Sequence, residues 1–390
     1  MRDNSNTLLL AMARVGYEMP DLLPAYPGRN LDYVDRVLRD NAAALSRPVL
    51  PYGLLGIHPY HSPTFNIDEY GFRTNGQPQP WPPNPDALTI FCFGGSTMLG
   101  ANIEDRQTIP SRLQEYCDAL GLDCAVYNFG YGSYTSRHEL LNFVRLIDQG
   151  IVPDLAIFLD GYNEATLGFG NDILVKALDG LYQAEKRRRR MPYWRAVLDS
   201  ARSLYQARHR SLPGALTYKP WDDNSVAAQL LSDEVIELAI TSGGKFPDAI
   251  TPEQRRFGES VWQNYLDSAA MIRAVAERKD VSTLFVWQPT PIAFTPREHR
   301  LLEKLYYVYR VGSLPYHVYA WLDENHFPGM SGDRAFLDLS QLGRSVAGIQ
   351  YMDPCHYTAD MSQAIAREIG AYLCVINVLP SGRRALAVNE

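Results

Sequence analysis

The sequence predicts an α/β fold, a doubly wound parallel sheet flanked by helices on both faces. Three observations carry this prediction. Short, almost wholly apolar runs recur at 88–93 (LTIFCF), 155–159 (LAIFL) and 281–287 (VSTLFVW), the pattern of strands buried on both sides. Stretches with apolar residues at helical spacing separate them. Glycine or polar residues follow each run, where a parallel strand hands the chain to a loop.

The first 85 residues lack this alternation. Residues 31–45 have helical character, whereas 48–85 are rich in Pro, Tyr, Asn and Gly and predict irregular chain with short strands. So long an irregular segment is expected to wrap the main domain rather than form one, or to be functional itself. Residues 78–85 lead into the first strand, 88–93, which ends at Gly94 and Gly95. Over 108–120, Ile109, Leu113, Cys117 and Leu120 share one helical face, with Pro110 in the first turn, where its missing N–H is tolerated. A second strand at 124–128 precedes a glycine-rich turn. Leu141, Val144 and Ile147 mark a helix over 138–148, and the third strand follows at 155–159. The alternation then lapses. Residues 168–258 predict a mostly helical insertion or lid, with five consecutive cations from Lys186 to Arg190 and a polar segment at 220–252. A helix over 262–275 returns the chain to the fourth strand, and 364–373 lie in a final helix. The α/β domain thus covers 86–380.

Composition bounds the function. Of 390 residues, 46% are apolar and 21% charged, which excludes a disordered, collagen-like or coiled-coil chain. The charge sum, 37 − 44 = −7, argues against a nucleic-acid binder. Five cysteines (Cys92, Cys117, Cys124, Cys355, Cys374) include no CxxC pair, so neither a disulfide scaffold nor a cysteine zinc site is indicated. The opening residues are interrupted by Arg14 and lack the long apolar stretch of a signal peptide. Nowhere do 18 apolar residues run together, so no membrane span is expected. These features predict a cytoplasmic protein. The oligomeric state is left open.

The chemistry is expected beyond the carboxyl ends of the strands, where open α/β sheets bind ligands. Ser96 follows the first strand in FGGST. The two glycines permit a sharp turn that exposes the hydroxyl; the plain alternative is a helix N-cap. After the second strand, NFGYGSYTS exposes backbone N–H groups to an anion. Its GxG, with Thr135 where a third glycine would stand, is no dinucleotide fingerprint. Asn163, in GYNE after the third strand, offers an amide donor that brings no charge; the alternative is a turn residue. Asp160 beside it is expected to cap or brace that turn. In DPCH, before the last helix, the three-residue spacing lets Asp353 reach Nδ1 of His356 and leaves Nε2 for Ser96 as general base. Asp323 and His326 repeat that spacing, but loop rather than helix follows them. His58 and His61 have no third ligand at a suitable spacing and predict structural or pocket-lining roles.

Taken together, FGGST, NFGYGSYTS, GYNE and DPCH resemble the blocks of the SGNH (GDSL-like) hydrolase superfamily, over residues 88–168 and 281–373. The resemblance implies the strand order 2-1-3-4-5 and no cofactor. It implies Ser96 as nucleophile, His356 as base, Asp353 as the orienting carboxylate and Asn163 as an oxyanion donor. A backbone N–H from the second block completes the oxyanion site: with Asn128 in register the family's glycine falls on Ser133, while Gly132 lies one residue earlier. Gly95 replaces the acidic residue of the namesake pattern, a change expected to alter turn packing more than chemistry. Upstream, 68–73 (DEYGFR) is similar to a segment that precedes the domain in a bacterial subgroup.

The expected reaction is acyl transfer from an ester, on a small molecule or a glycan, through an acyl-enzyme. Its rate should rise as His356 deprotonates, with an apparent pKa within about a unit of ~6.5. An acyltransferase would use the same serine with 168–258 as a lid; the basic run would then suit an acyl-CoA or carrier-protein donor. A binding module without turnover is the non-enzymatic alternative. Tyr306 and Tyr309, one helical face apart from Tyr307, line a pocket or pack on the sheet.

Overall fold

A computed structural model describes residues 7–14, 16–44, 50, 54, 56–77, 79–167, 250–291, 293–302, 305 and 313–378. The insertion up to residue 249, its basic run and the tyrosines at 306, 307 and 309 lie outside the described residues. In chain order the helices are α1 (Thr7–Arg14), α2 (Leu31–Ala44), α3 (Ser96–Leu99), α4 (Ile109–Ala119), α5 (Ser136–Asp148), α6 (Tyr162–Leu167), α7 (Pro252–Glu277), α8 (Ser313–Asn325) and α9 (Ala359–Val375). The strands are β1 (Leu88–Gly94), β2 (Cys124–Gly130), β3 (Leu155–Asp160), β4 (Ser282–Trp287) and β5 (Phe336–Asp338).

All five strands are parallel, in the order β2-β1-β3-β4-β5. This is the order implied by the resemblance to SGNH hydrolases. The period-two alternation of a strand sorts the side chains by face. One face is aliphatic: Ile90, Val126, Ile157 and Leu284 pack beneath Leu113 of α4 and Ile365 and Ile369 of α9. The other is aromatic. Phe93 stacks on Phe158 at 5.0 Å and Phe158 on Phe285 at 5.4 Å, under Phe143 of α5 and Trp262 and Tyr265 of α7. A sheet apolar on both faces needs both covers, which is why the strands show as unbroken apolar runs.

Two elements differ from the sequence expectation. The helix expected at 262–275 starts at Pro252, with Thr251 accepting the Gln254 N–H as N-cap; residues 252–258 therefore belong to it and not to the insertion. The last helix contains 364–373 as expected and runs from Ala359 to Val375 behind a Thr358 cap. β5 had no signal of its own, being three residues long.

The extension closes an edge. β2 is an outer strand, and unpaired strand edges are normally covered. Arg73 donates its N–H to Asn128 O at 3.0 Å. Asn75 Nδ2 and Gln79 Nε2 both donate to Val126 O at 2.7 Å. Trp81 continues the aromatic face, stacked on Phe91 at 6.1 Å.

Candidate active site

β1 ends at Gly94, Gly95 is the N-cap of α3, and Ser96 opens that helix, half-buried among buried neighbours. Its hydroxyl lies 2.9 Å from His356 Nε2. On the other side of the ring, Nδ1 lies 2.7 Å from Asp353 Oδ2. Because an ionised carboxylate can only accept, Nδ1 carries the proton, and Nε2 of the neutral ring accepts from Ser96. The remaining Asp353 oxygen accepts the backbone N–H groups of Cys355 (2.9 Å) and His356 (2.8 Å). The turn after Pro354 thus folds the main chain back onto the carboxylate. His356, and not His326 at the end of α8, reaches Ser96.

These contacts set the protonation states. Burial raises the Asp353 carboxyl, but the adjacent imidazole and the two backbone donors outweigh it and bring it down to about 2. Burial opposes the His356 cation, yet the Asp353 charge holds the imidazole well above its ordinary value. Cys355, pushed up to about 11 by burial, is a neutral thiol near neutral pH. Its Sγ rests 3.4 Å from Nδ1 and 3.6 Å from Nε2. The sequence-based expectation of an ordinary histidine pKa is therefore corrected upward, because that value omits a buried ion-pair partner.

Asn163, at the start of α6, donates one Nδ2 hydrogen to Tyr134 O at 2.6 Å. Its other N–H finds no acceptor among the described residues. A Cβ built on Gly95 would overlap Asn163 Nδ2 and approach Tyr134 O to 3.3 Å. The amide thus lies directly against the residue before Ser96. A side chain at position 95 would therefore require the Asn163 amide to shift. In the second block, Ser133 takes a φ of 66°, the left-handed conformation that glycine adopts most readily. Neither Gly132 nor Ser133 donates its N–H to another described residue, while Tyr131 N–H bonds Gly94 O at 3.0 Å.

Sequence reasoning missed the residues behind this arrangement. Glu164, fully buried, accepts the N–H of Ser136 (2.8 Å) and of Gly161 (2.7 Å). It therefore ties the end of the glycine-rich loop to the turn that presents Asn163. Asp160 does not brace that turn as expected. Its oxygens, like those of Glu139, find no hydrogen-bond partner among the described residues. Burial, and then the neighbouring carboxylates, raise both acids well above their ordinary values. The position of Glu164 in GYNE was a usable signal; that of Glu139, one polar residue in a helix, was not.

Among the described residues, Asp353, Cys355 and His356 form a trio whose ligand-type atoms lie within 4.8 Å of one another. Both imidazole nitrogens are already engaged by Asp353 and Ser96. No described helix is long and apolar enough to cross a membrane.

No protein-family model matches the chain, and no curated protein matches it. Solved structures do. A carbohydrate acetylesterase family member from Sinorhizobium meliloti aligns at 14% identity and a TM-score of 0.38, over 75% of this chain and 99% of its own. A psychrotrophic esterase from a Pseudoalteromonas species aligns at 12% identity and 0.33, over 75% and 98%. A second carbohydrate acetylesterase from Sinorhizobium meliloti aligns at 10% and 0.35, over 74% and 99%.

Proposed function

We propose that the protein is an SGNH-type serine hydrolase that removes an acyl group from a carboxylic ester through an acyl-enzyme. The observation that carries this reading is the unbroken line from Ser96 Oγ through His356 to Asp353, at 2.9 and 2.7 Å. In the first step His356 Nε2 takes the Ser96 proton as Oγ bonds to the ester carbonyl carbon, and the carbonyl oxygen becomes an oxyanion. That charge is received by the Ser96 N–H, the N–H of Gly132 or Ser133, and Nδ2 of Asn163. The tetrahedral intermediate collapses, the C–O bond to the alcohol breaks, and the imidazolium protonates the departing oxygen. Water then repeats the sequence on the acyl-serine and releases the acid. Asp353 stays ionised throughout and steadies the imidazolium.

The substrate class is an O-acyl ester of a small molecule or glycan. Five cysteines without a disulfide support a reducing, cytoplasmic setting. A fluorophosphonate probe tests the chemistry: it should label wild type at Ser96 and leave a folded Ser96→Ala variant unlabelled. Only wild type should release acid from a panel of acyl esters. Absence of labelling and of ester cleavage in wild type would favour a binding module.

A further inference from the structure

The helix that carries Ser96 is four residues long. A helix so short has little internal ladder, and its last carbonyls need donors from elsewhere. Asn128 of β2 supplies one, its Nδ2 donating to the carbonyls of Met98 (3.1 Å) and Leu99 (3.4 Å); the others come from outside the α/β core. Arg73 lies in the N-terminal extension and is wholly buried. Its Nη1 donates to the carbonyls of Leu99 (2.8 Å) and Gly100 (2.5 Å), and Nη2 to that of Ile103 (2.7 Å). Nε donates to Asp105 Oδ1 at 2.8 Å, and the guanidinium lies 3.9 Å from the ring centroid of Phe65. The same loop carries Asn102 at a φ of 64°. Its carbonyl accepts from Tyr26 Oη at 2.7 Å, and its Nδ2 faces Asp353 Oδ2 at 3.5 Å.

We propose that Arg73 is a positioning residue for the reaction, fixing the far end of the nucleophile's helix and, through loop 99–103, holding Asn102 against Asp353. The inference rests on the acyl-transfer reading above. Stability alone is a poor reason for this guanidinium, since well-packed apolar residues replace buried ion pairs at little loss. What an apolar side chain cannot do is hold three carbonyls of one loop while a fourth donor grips Asp105. Lysine cannot either, because its donors radiate from a single point.

The experiment uses the full-length protein, the fluorophosphonate probe and an activated ester, with turnover expressed per probe-titrated site. Arg73→Lys is expected to lower kcat and the rate of probe labelling by about tenfold or more, with KM within about twofold of wild type. Asn102→Ala, which leaves the guanidinium contacts in place, is expected to lower both rates by about threefold or more. Wild-type rates per titrated site in Arg73→Lys would overturn the proposal even if Tm falls. Should that variant not fold, Asn102→Ala decides, and rates within about twofold of wild type overturn it. A wild type that the probe does not label removes the acyl-transfer reading and this proposal together. Labelled wild type with unaffected variants removes this proposal alone.

Discussion

His356 lies between a carboxylate that favours its cation and a buried setting that opposes it. The carboxylate prevails, which raises the proton affinity of Nε2 and makes it a stronger base toward Ser96. In the proposed reaction the active form is the neutral ring, so kcat/KM for an activated ester should climb with pH and level off only after the imidazole has deprotonated. With the folded-state pKa raised, the midpoint should lie above ~6.5. Asp353→Asn should bring it down while reducing the rate by orders of magnitude. A wild-type midpoint at or below the ordinary histidine value would count against this coupling. At the proposed oxyanion site, Asn163→Ala should remove about 3 kcal/mol of transition-state stabilisation, roughly a hundredfold in kcat, with little change in KM. Gly95→Ala should imitate it, because the added methyl would overlap the same amide. If so, the double variant will lose scarcely more than either single one. The residues of the proposed mechanism stood out in the sequence because Ser96 and Asn163 lie in short blocks at strand ends, and Asp353 and His356 in one before the last helix. The close contact at position 95 did not, since it is made by the Asn163 amide, distant along the chain.

At the scale of elements, the turn after β3 and the start of α5 are joined by buried acids rather than by apolar packing. Glu164 accepts two backbone N–H groups, while Asp160 and Glu139 face one another and Glu164 without a cationic partner among the described residues. Both are raised in the folded state by burial first and by their neighbours' charge second. A carboxyl with a raised folded-state pKa binds more protons folded than unfolded. Its contribution to stability is therefore full below the unfolded value and is lost as pH rises toward the folded one. Asp160→Asn mimics the protonated acid and removes this penalty. The variant should match wild type in denaturant unfolding near pH 4 and exceed it at pH 8, with the gap widening by up to ~1.4 kcal/mol per pH unit. An equal gap at both pH values would show that Asp160 is not held protonated. No periodicity in the sequence announces such a cluster: Asp160 ends an apolar strand, and Glu139 is one polar residue on a helix. The strands and long helices, by contrast, were legible because burial on both faces imposes a pattern. β5 escaped because three residues are too few to carry one.

Across the whole molecule, the extension joins two buried layers to the sheet. Tyr26 and Asn41, from the start of the chain, are buried against Asn102 in the loop after α3. Val34, Val37 and Leu38 of α2 are buried as well. The described residues up to 167 and from 250 onward belong to one compact unit. The sequence showed that residues 48–85 were too irregular to make a domain of their own, but it did not show where they would attach. That depends on an open edge at β2 and on a loop hungry for donors, both products of the fold. If extension and sheet are one cooperative unit, backbone amides of α2 and of β1 should lose their hydrogen-exchange protection together as denaturant rises. Tyr26→Phe leaves Asn102 O without its donor, which should destabilise both elements equally, by about 1–3 kcal/mol for an unsatisfied buried acceptor. An α2 that opens well before β1 in wild type, or a Tyr26→Phe variant that loosens α2 alone, would make the extension a detachable wrapping. Parallel loss would mean that the chain before residue 85 belongs to the same folding unit as Ser96 and His356.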